Sequence, residues 1–177
     1  GLTLLEVLDL SSNNLSDSDL TGLANFTNLK ELHLDDLAIA RIDFVRFMTR
    51  LEILTAESNR ISDLSPIRSL VRLSILGMSD NLVADITPCT ANGGLGPYDS
   101  LHLQNNPLGS QAICVDLPIL YARHFESILP PFGTFACQGD RFEPDHSPLL
   151  ARPVFLNESQ IERSLVNTGQ GVDEDWL

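Results

Sequence analysis

The amino-acid sequence predicts an α/β solenoid, with short parallel strands on a concave face and tight 3₁₀, turn or short-helix returns on a convex face. Three observations predict it: a grid of leucines, an asparagine closing each frame, and a second apolar series behind it. Leu5, Leu8, Leu10 and Asn13 set the frame. It returns at Leu29-Leu32-Leu34, at Leu51-Leu54-Ala56-Asn59, at Leu73-Leu76-Met78-Asn81 and at Tyr98-Leu101-Leu103-Asn106. Successive frames start 24, 22, 22 and 25 residues apart. A fixed period in this range means stacked structural units, each burying its apolar side against the next.

Within each frame the Leu-x-Leu core alternates with polar residues, as in a short strand with one buried face. After the Asn position come Leu15, Ile39, Ile61, Val83 and Leu108. Ile42, Leu64 and Ile86 follow, then Val45, Ile67 and Cys89, then Phe26, Met48 and Leu70. Their spacing of about three suits a 3₁₀-like return. The frame asparagine carries donors and an acceptor, so when buried it can satisfy backbone groups freed where the chain leaves the strand. Leu37 replaces it in the second frame, and a distorted turn is expected there. The period, the Leu-x-x-Leu-x-Leu-x-x-Asn frame and the strand-return alternation define a leucine-rich repeat solenoid.

The run Asn59-Arg60-Ile61-Ser62-Asp63-Leu64-Ser65-Pro66, within Leu51–Leu73, resembles the repeats of internalin-type bacterial proteins and of phosphatase-regulating leucine-rich repeat proteins. The likeness covers roughly residues 2–108 and implies a binding scaffold without naming a ligand. The stretch 105–125 resembles the closing repeat of bacterial members, in which Asn-Pro-Leu precedes a short amphipathic helix. Ile113, Leu117 and Leu120 would then cover the open end of the array. Beyond Pro130-Pro131 the grid stops. The expected organisation is a repeat array with its cap over 1–125, a linker over 126–141, and a partial β tail over 142–177. That tail resembles the start of bacterial pre-peptidase C-terminal domains, through Phe142-Glu143-Pro144-Asp145, Ala151, a polar strand over 160–166, and Asp173-Glu174-Asp175-Trp176. This second resemblance implies an exported, secreted or cell-surface protein, and no peptidase activity in the chain itself.

Composition narrows the partners. The chain has 177 residues, is 43% hydrophobic and carries a net charge of −13. It has ample apolar content for a core, and its charge argues against nucleic acid and anionic membrane surfaces. No apolar run approaches the roughly 20 residues of a membrane helix. Gly1 opens with a repeat already in register, so a fragment of a larger protein is expected. No Ser-His-Asp, HExxH, Walker A or GxGxxG signature is present in proper context. The glycines of Asn92–Pro97 read as a flexible turn. No catalysis, cofactor or metal is expected.

The candidate partner-binding residues are those pointing outward from the strands: Asp9, Glu31, His33, Asp35, Thr55, Glu57, Ser79, His102 and Gln104. Asp9, Glu31, Asp35 and Glu57, together with Asp36 and Asp80, form an acidic strip that suits a basic protein or peptide. His33 and His102 share a column three repeats apart, roughly 14 Å by strand spacing, which is too far for a shared metal ion. The carboxylates Glu143, Asp145, Asp173 and Asp175 lack the spacing of a calcium loop. Three cysteines leave one odd. Cys89 and Cys114 each lie eight residues after a frame Asn, so a Cys89–Cys114 disulfide across adjacent repeats is expected, with Cys114–Cys137 and free thiols as alternatives. The expectation is thus a monomeric, non-catalytic scaffold. The alternatives are an accessory region of a secreted multidomain hydrolase, or an intracellular regulatory scaffold.

Overall fold

The computed structural model describes residues 4–123, 125 and 127–129, within a compact unit spanning Gly1–Phe132. Six three-residue strands, β1 (Val7–Asp9), β2 (Glu31–His33), β3 (Ile53–Thr55), β4 (Ile75–Gly77), β5 (Ser100–His102) and β6 (Ser127–Leu129), form one parallel sheet in sequence order. The register aligns the central leucines Leu8, Leu32, Leu54, Leu76 and Leu101. Ile128 continues that row, so the sheet runs past residue 125, where the array was expected to close. Between strands the chain returns through 3₁₀ segments at Asp19–Asn25, Asp43–Phe47 and Ser65–Ser69, and through the short helix α1 at Thr87–Ala91. Pro66 and Pro88 open two of these returns, where a missing backbone N–H costs nothing.

The core is the set of columns that the leucine grid predicts. Leu29, Leu32, Leu34, Leu51, Leu54, Leu76 and Leu101 are sealed from solvent, as are Ile42, Val45, Met48, Ile67, Leu70 and Ile86 behind them. Leu5, Leu8, Leu10, Leu15 and Phe26 are only half-buried, because among the described residues no strand pairs with β1 on its other side.

Each turn out of a strand passes through one left-handed residue: Ser12, Asp36, Ser58, Asp80 and Asn105 have φ between 54° and 57°. The asparagine that follows in three of these turns then binds across two repeats. The Asn81 amide donates to the carbonyls of Ala56, at 2.8 Å, and Met78, at 3.2 Å, and its oxygen accepts from the Ile61 N–H at 2.9 Å. Asn59 and Asn106 repeat the pattern. At Leu37 the pattern fails as expected. A second left-handed residue, Ala38 with φ 60°, appears only in this turn. The Asp17 carboxylate of the preceding repeat then accepts from the N–H groups of Ala40 and Arg41, each at 3.0 Å.

Two sequence expectations need correction. Tyr98, placed at the buried head of the fifth frame, is 85% exposed and left-handed at φ 70°. Leu95, 2% exposed, lies in the core in its place. The extra residues of this repeat therefore lie partly after the apolar anchor. The glycine-rich turn is also pinned. The buried Asn92 amide donates to the carbonyls of Ile67 and Leu70, and its oxygen accepts from the Gly94 N–H at 2.8 Å. The chain passes so close to the Val71 backbone that a Cβ on Gly94 would sit 2.0 Å from the Val71 oxygen.

The array closes with a π-helical turn, Ala112–Asp116, running into α2, Leu117–Tyr121. Ile113, Leu117 and Leu120 are buried, as expected of a cap. The Arg123 guanidinium locks it down by donating to the carbonyls of Thr90, Asn92 and Leu95.

Candidate functional site

The concave face is built from the outward positions of the sheet. Strand pairing sets Asp9, His33, Thr55, Gly77 and His102 in one column, and Val7, Glu31, Ile53, Ile75 and Ser100 in the column beside it. Ser11, Asp35, Glu57, Ser79 and Gln104 follow just beyond the strands. All nine predicted partner-binding residues therefore lie on or immediately beyond these strands. None of the fifteen positions named is Lys or Arg.

Hydrogen bonds between repeats hold most of these side chains. His33 Nδ1 lies 3.0 Å from the Thr55 hydroxyl, which donates to Asp35 Oδ2 at 2.8 Å. The other Asp35 oxygen accepts from the Glu57 backbone N–H at 2.7 Å. Further along, the Ser79 hydroxyl donates to Gln104 Oε1 at 2.6 Å. Asp9 accepts from the Ser11 backbone, and this bond holds its carboxyl below the ordinary range. Glu31 and Glu57 remain partly exposed, each near an imidazole: Glu31 is 3.9 Å from His33, and Glu57 Oε1 is 3.6 Å from His102 Nδ1. The second contact spans two repeats, and Gly77 makes room for it. A Cβ at Gly77 would stand 3.1 Å from Glu57 Oε1 and 3.2 Å from Thr55 Cγ2. The result is a face of fixed acceptors around half-buried Ile53 and Ile75, able to hold cations and apolar side chains together.

The expected Cys89–Cys114 pair is absent, although Cys114 is disulfide-bonded. Cys89 is a free, fully buried thiol, so the Cys89–Cys114 disulfide is not formed. The reason is rotational. In the fourth repeat the inward positions after Asn81 are Val83, Ile86 and Cys89, whereas the cap turns Ala112 and Ile113 inward and leaves Cys114 half-buried. Equal spacing from the asparagine therefore does not give equal facing. Burial pushes the Cys89 thiol up to about 12, with the carboxylates of Asp116 and Asp85 adding to the shift. Cys137, His124, His146 and the motif residues Phe142–Asp145, Ala151, 160–166 and Asp173–Trp176 lie outside the described residues. Among the described residues no cluster of three His, Cys, Asp or Glu could hold a metal ion, and no helix is long and apolar enough to cross a membrane.

Sequence reasoning missed Asn92, Asp116 and Arg123. Asp116 was legible in principle, since it lies three residues after Ile113 on the face that Ile113, Leu117 and Leu120 define.

No protein-family profile and no curated protein matches the chain. Solved structures do. Internalin C2 of Listeria monocytogenes superposes with a TM-score of 0.60 at 30% identity, over 72% of this chain and 54% of that one. An internalin (inlF) of the same organism gives 0.56 at 24% identity, over 73% of this chain and 42% of its own. The ectodomain of the plant receptor kinase GASSHO1/SCHENGEN3 of Arabidopsis thaliana, solved with Casparian strip integrity factor 2, gives 0.53 at 23% identity, over 73% of this chain and 16% of its own. The chain thus spans about half the length of internalin C2 and less of the others. Together with the parallel ladder and 3₁₀ returns, these likenesses establish the fold as an α/β leucine-rich repeat solenoid.

Proposed function

We propose that the chain is a non-catalytic scaffold whose concave sheet binds a protein or peptide, with basic side chains seated on its acidic strip. One observation carries this reading: an open sheet face whose acceptors are held by inter-repeat hydrogen bonds, with no lysine or arginine among its members. Preorganised acceptors bind a cation without the entropy cost of ordering them first, and the field of such a face speeds encounter with a basic partner. The likeness to internalins and to a receptor ectodomain supports the same use.

The scaffold acts as a monomer within a larger exported bacterial protein, on the cell surface or secreted. Its segment 142–177 would be the start of a trailing β-domain. Affinity capture tests the binding face. Glu31→Lys with Glu57→Lys should lose a partner recovered by the unaltered chain while unfolding at the same urea concentration. Equal recovery by both chains would remove the concave face from the reading.

A further inference from the structure

Asp116 Oδ2 is a buried carboxylate oxygen with no hydrogen-bond partner, the only such side-chain atom found among the described residues. The residue is 3% exposed and ends the π-helical turn of the cap, which packs against α1. An ionised carboxylate with one buried oxygen left without a partner is disfavoured in such a place. The surrounding groups relieve it only in part. From its own turn Gln111 reaches it, and from the start of α1 come the Thr87 hydroxyl and the like charge of Asp85. Cys89, also in α1, is a neutral thiol close enough to feel the Asp116 charge. From the α2 side, Arg123 directs its guanidinium at three backbone carbonyls, and Tyr121 is half-buried.

We propose that Asp116 is a proton-sensitive latch: docking of the cap on the fourth repeat favours its neutral form, and losing that proton as pH rises loosens the cap. The two carboxyls divide the roles. Asp85 accepts from both the backbone N–H and the hydroxyl of Thr87, and these bonds hold its carboxyl below the ordinary range. It is the ionised member. Burial pushes Asp116 upward and the Asp85 charge adds to this, against the opposing hydrogen bonds of Gln111 and Thr87. Environments that drive two acids apart in this way make one of them keep its proton to higher pH than the other.

The sign follows from linkage. Asp116 binds its proton more tightly in the docked cap than in the unfolded chain, where an aspartate titrates near about 3.9. The contribution is therefore complete below that value and is lost as pH rises through the docked value. Each unit of upward shift weakens docking about tenfold once the acid is ionised. A cap at the end of a repeat array can open by itself, so its backbone amides report the latch.

The test uses the full chain. Carboxyl ¹³C titration, with the Asp116 resonance assigned by its loss in Asp116→Asn, should give a midpoint above the ordinary aspartate range. Asp85→Asn should move that midpoint down. Hydrogen exchange at the Ile113, Ala122 and Arg123 amides, corrected for intrinsic rates, should show protection that falls as pH rises. Asp116→Asn should hold that protection constant. An Asp116 midpoint at or below about 3.9, or the same pH dependence of exchange in both chains, would overturn the proposal.

Discussion

Replacing Asn81 by Ala probes the device that joins one repeat to the next. Its amide donates to the carbonyls of Ala56, Met78 and Ser79, and its oxygen takes the Ile61 N–H. The three carbonyls each keep another donor: Asn59 at Ala56, Asn106 at Met78, and the Ser58 N–H at Ser79. The Ile61 N–H loses its side-chain acceptor inside the core, because Ile61 is sealed from solvent. One orphaned buried donor costs about 1–3 kcal/mol, and the lost second bonds to the carbonyls add about 0.5–1.5 kcal/mol. We expect Asn81→Ala to destabilise the array by about 2–4 kcal/mol. Asn13 is the internal control. It is exposed and bonds only to Leu10 and Ser11 of its own turn, so Asn13→Ala should cost less than about 1 kcal/mol. Urea unfolding of both variants, followed by circular dichroism, measures the difference. Equal shifts of the two midpoints would refute the cross-repeat role of the column.

Other substitutions test the packing and the corrected frame. Leu54→Ala leaves a cavity in the central repeat, where no solvent reaches, and should cost about 2–5 kcal/mol in the same melts. Leu95→Ala should cost a similar amount, whereas Tyr98→Ala should change stability by less than about 1 kcal/mol. The reverse order would restore Tyr98 to the core column. The Cys89 thiol, buried and pushed up to about 12, should resist iodoacetamide at neutral pH until the chain is unfolded in urea, as read by mass spectrometry. Labelling of the folded chain at the rate of a free thiol would contradict its burial.

The columns that could be read directly are those whose positions depend on period alone. Leu8, Leu32, Leu54, Leu76 and Leu101 share a row because parallel strands in register repeat every frame. The outward columns follow by alternation, which puts Asp35, Thr55 and Glu57 on one face. The Leu37 defect was equally readable, since only an amide can do what Asn59 and Asn81 do. Where the repeat lengthens, the reading was ambiguous. Leu95 and Tyr98 are three positions apart, and pattern alone does not say whether the excess lies before or after the anchor. Asn92 decides it by fastening the turn to Ile67 and Leu70, a contact across some 25 residues that no local signal announces.

Period and side-chain chemistry determine the solenoid, its acidic concave strip and the role of the asparagine column, because all three recur with the frame. The tertiary structure decides what happens where recurrence ends. The cap is a helix with its own rotation, so Cys114 does not face Cys89, and Asp116 turns inward beside Asp85. Facing depends on the angle at which a terminal element docks, and that angle is set by the packing of Ile113, Leu117 and Leu120 against the last turns of the array.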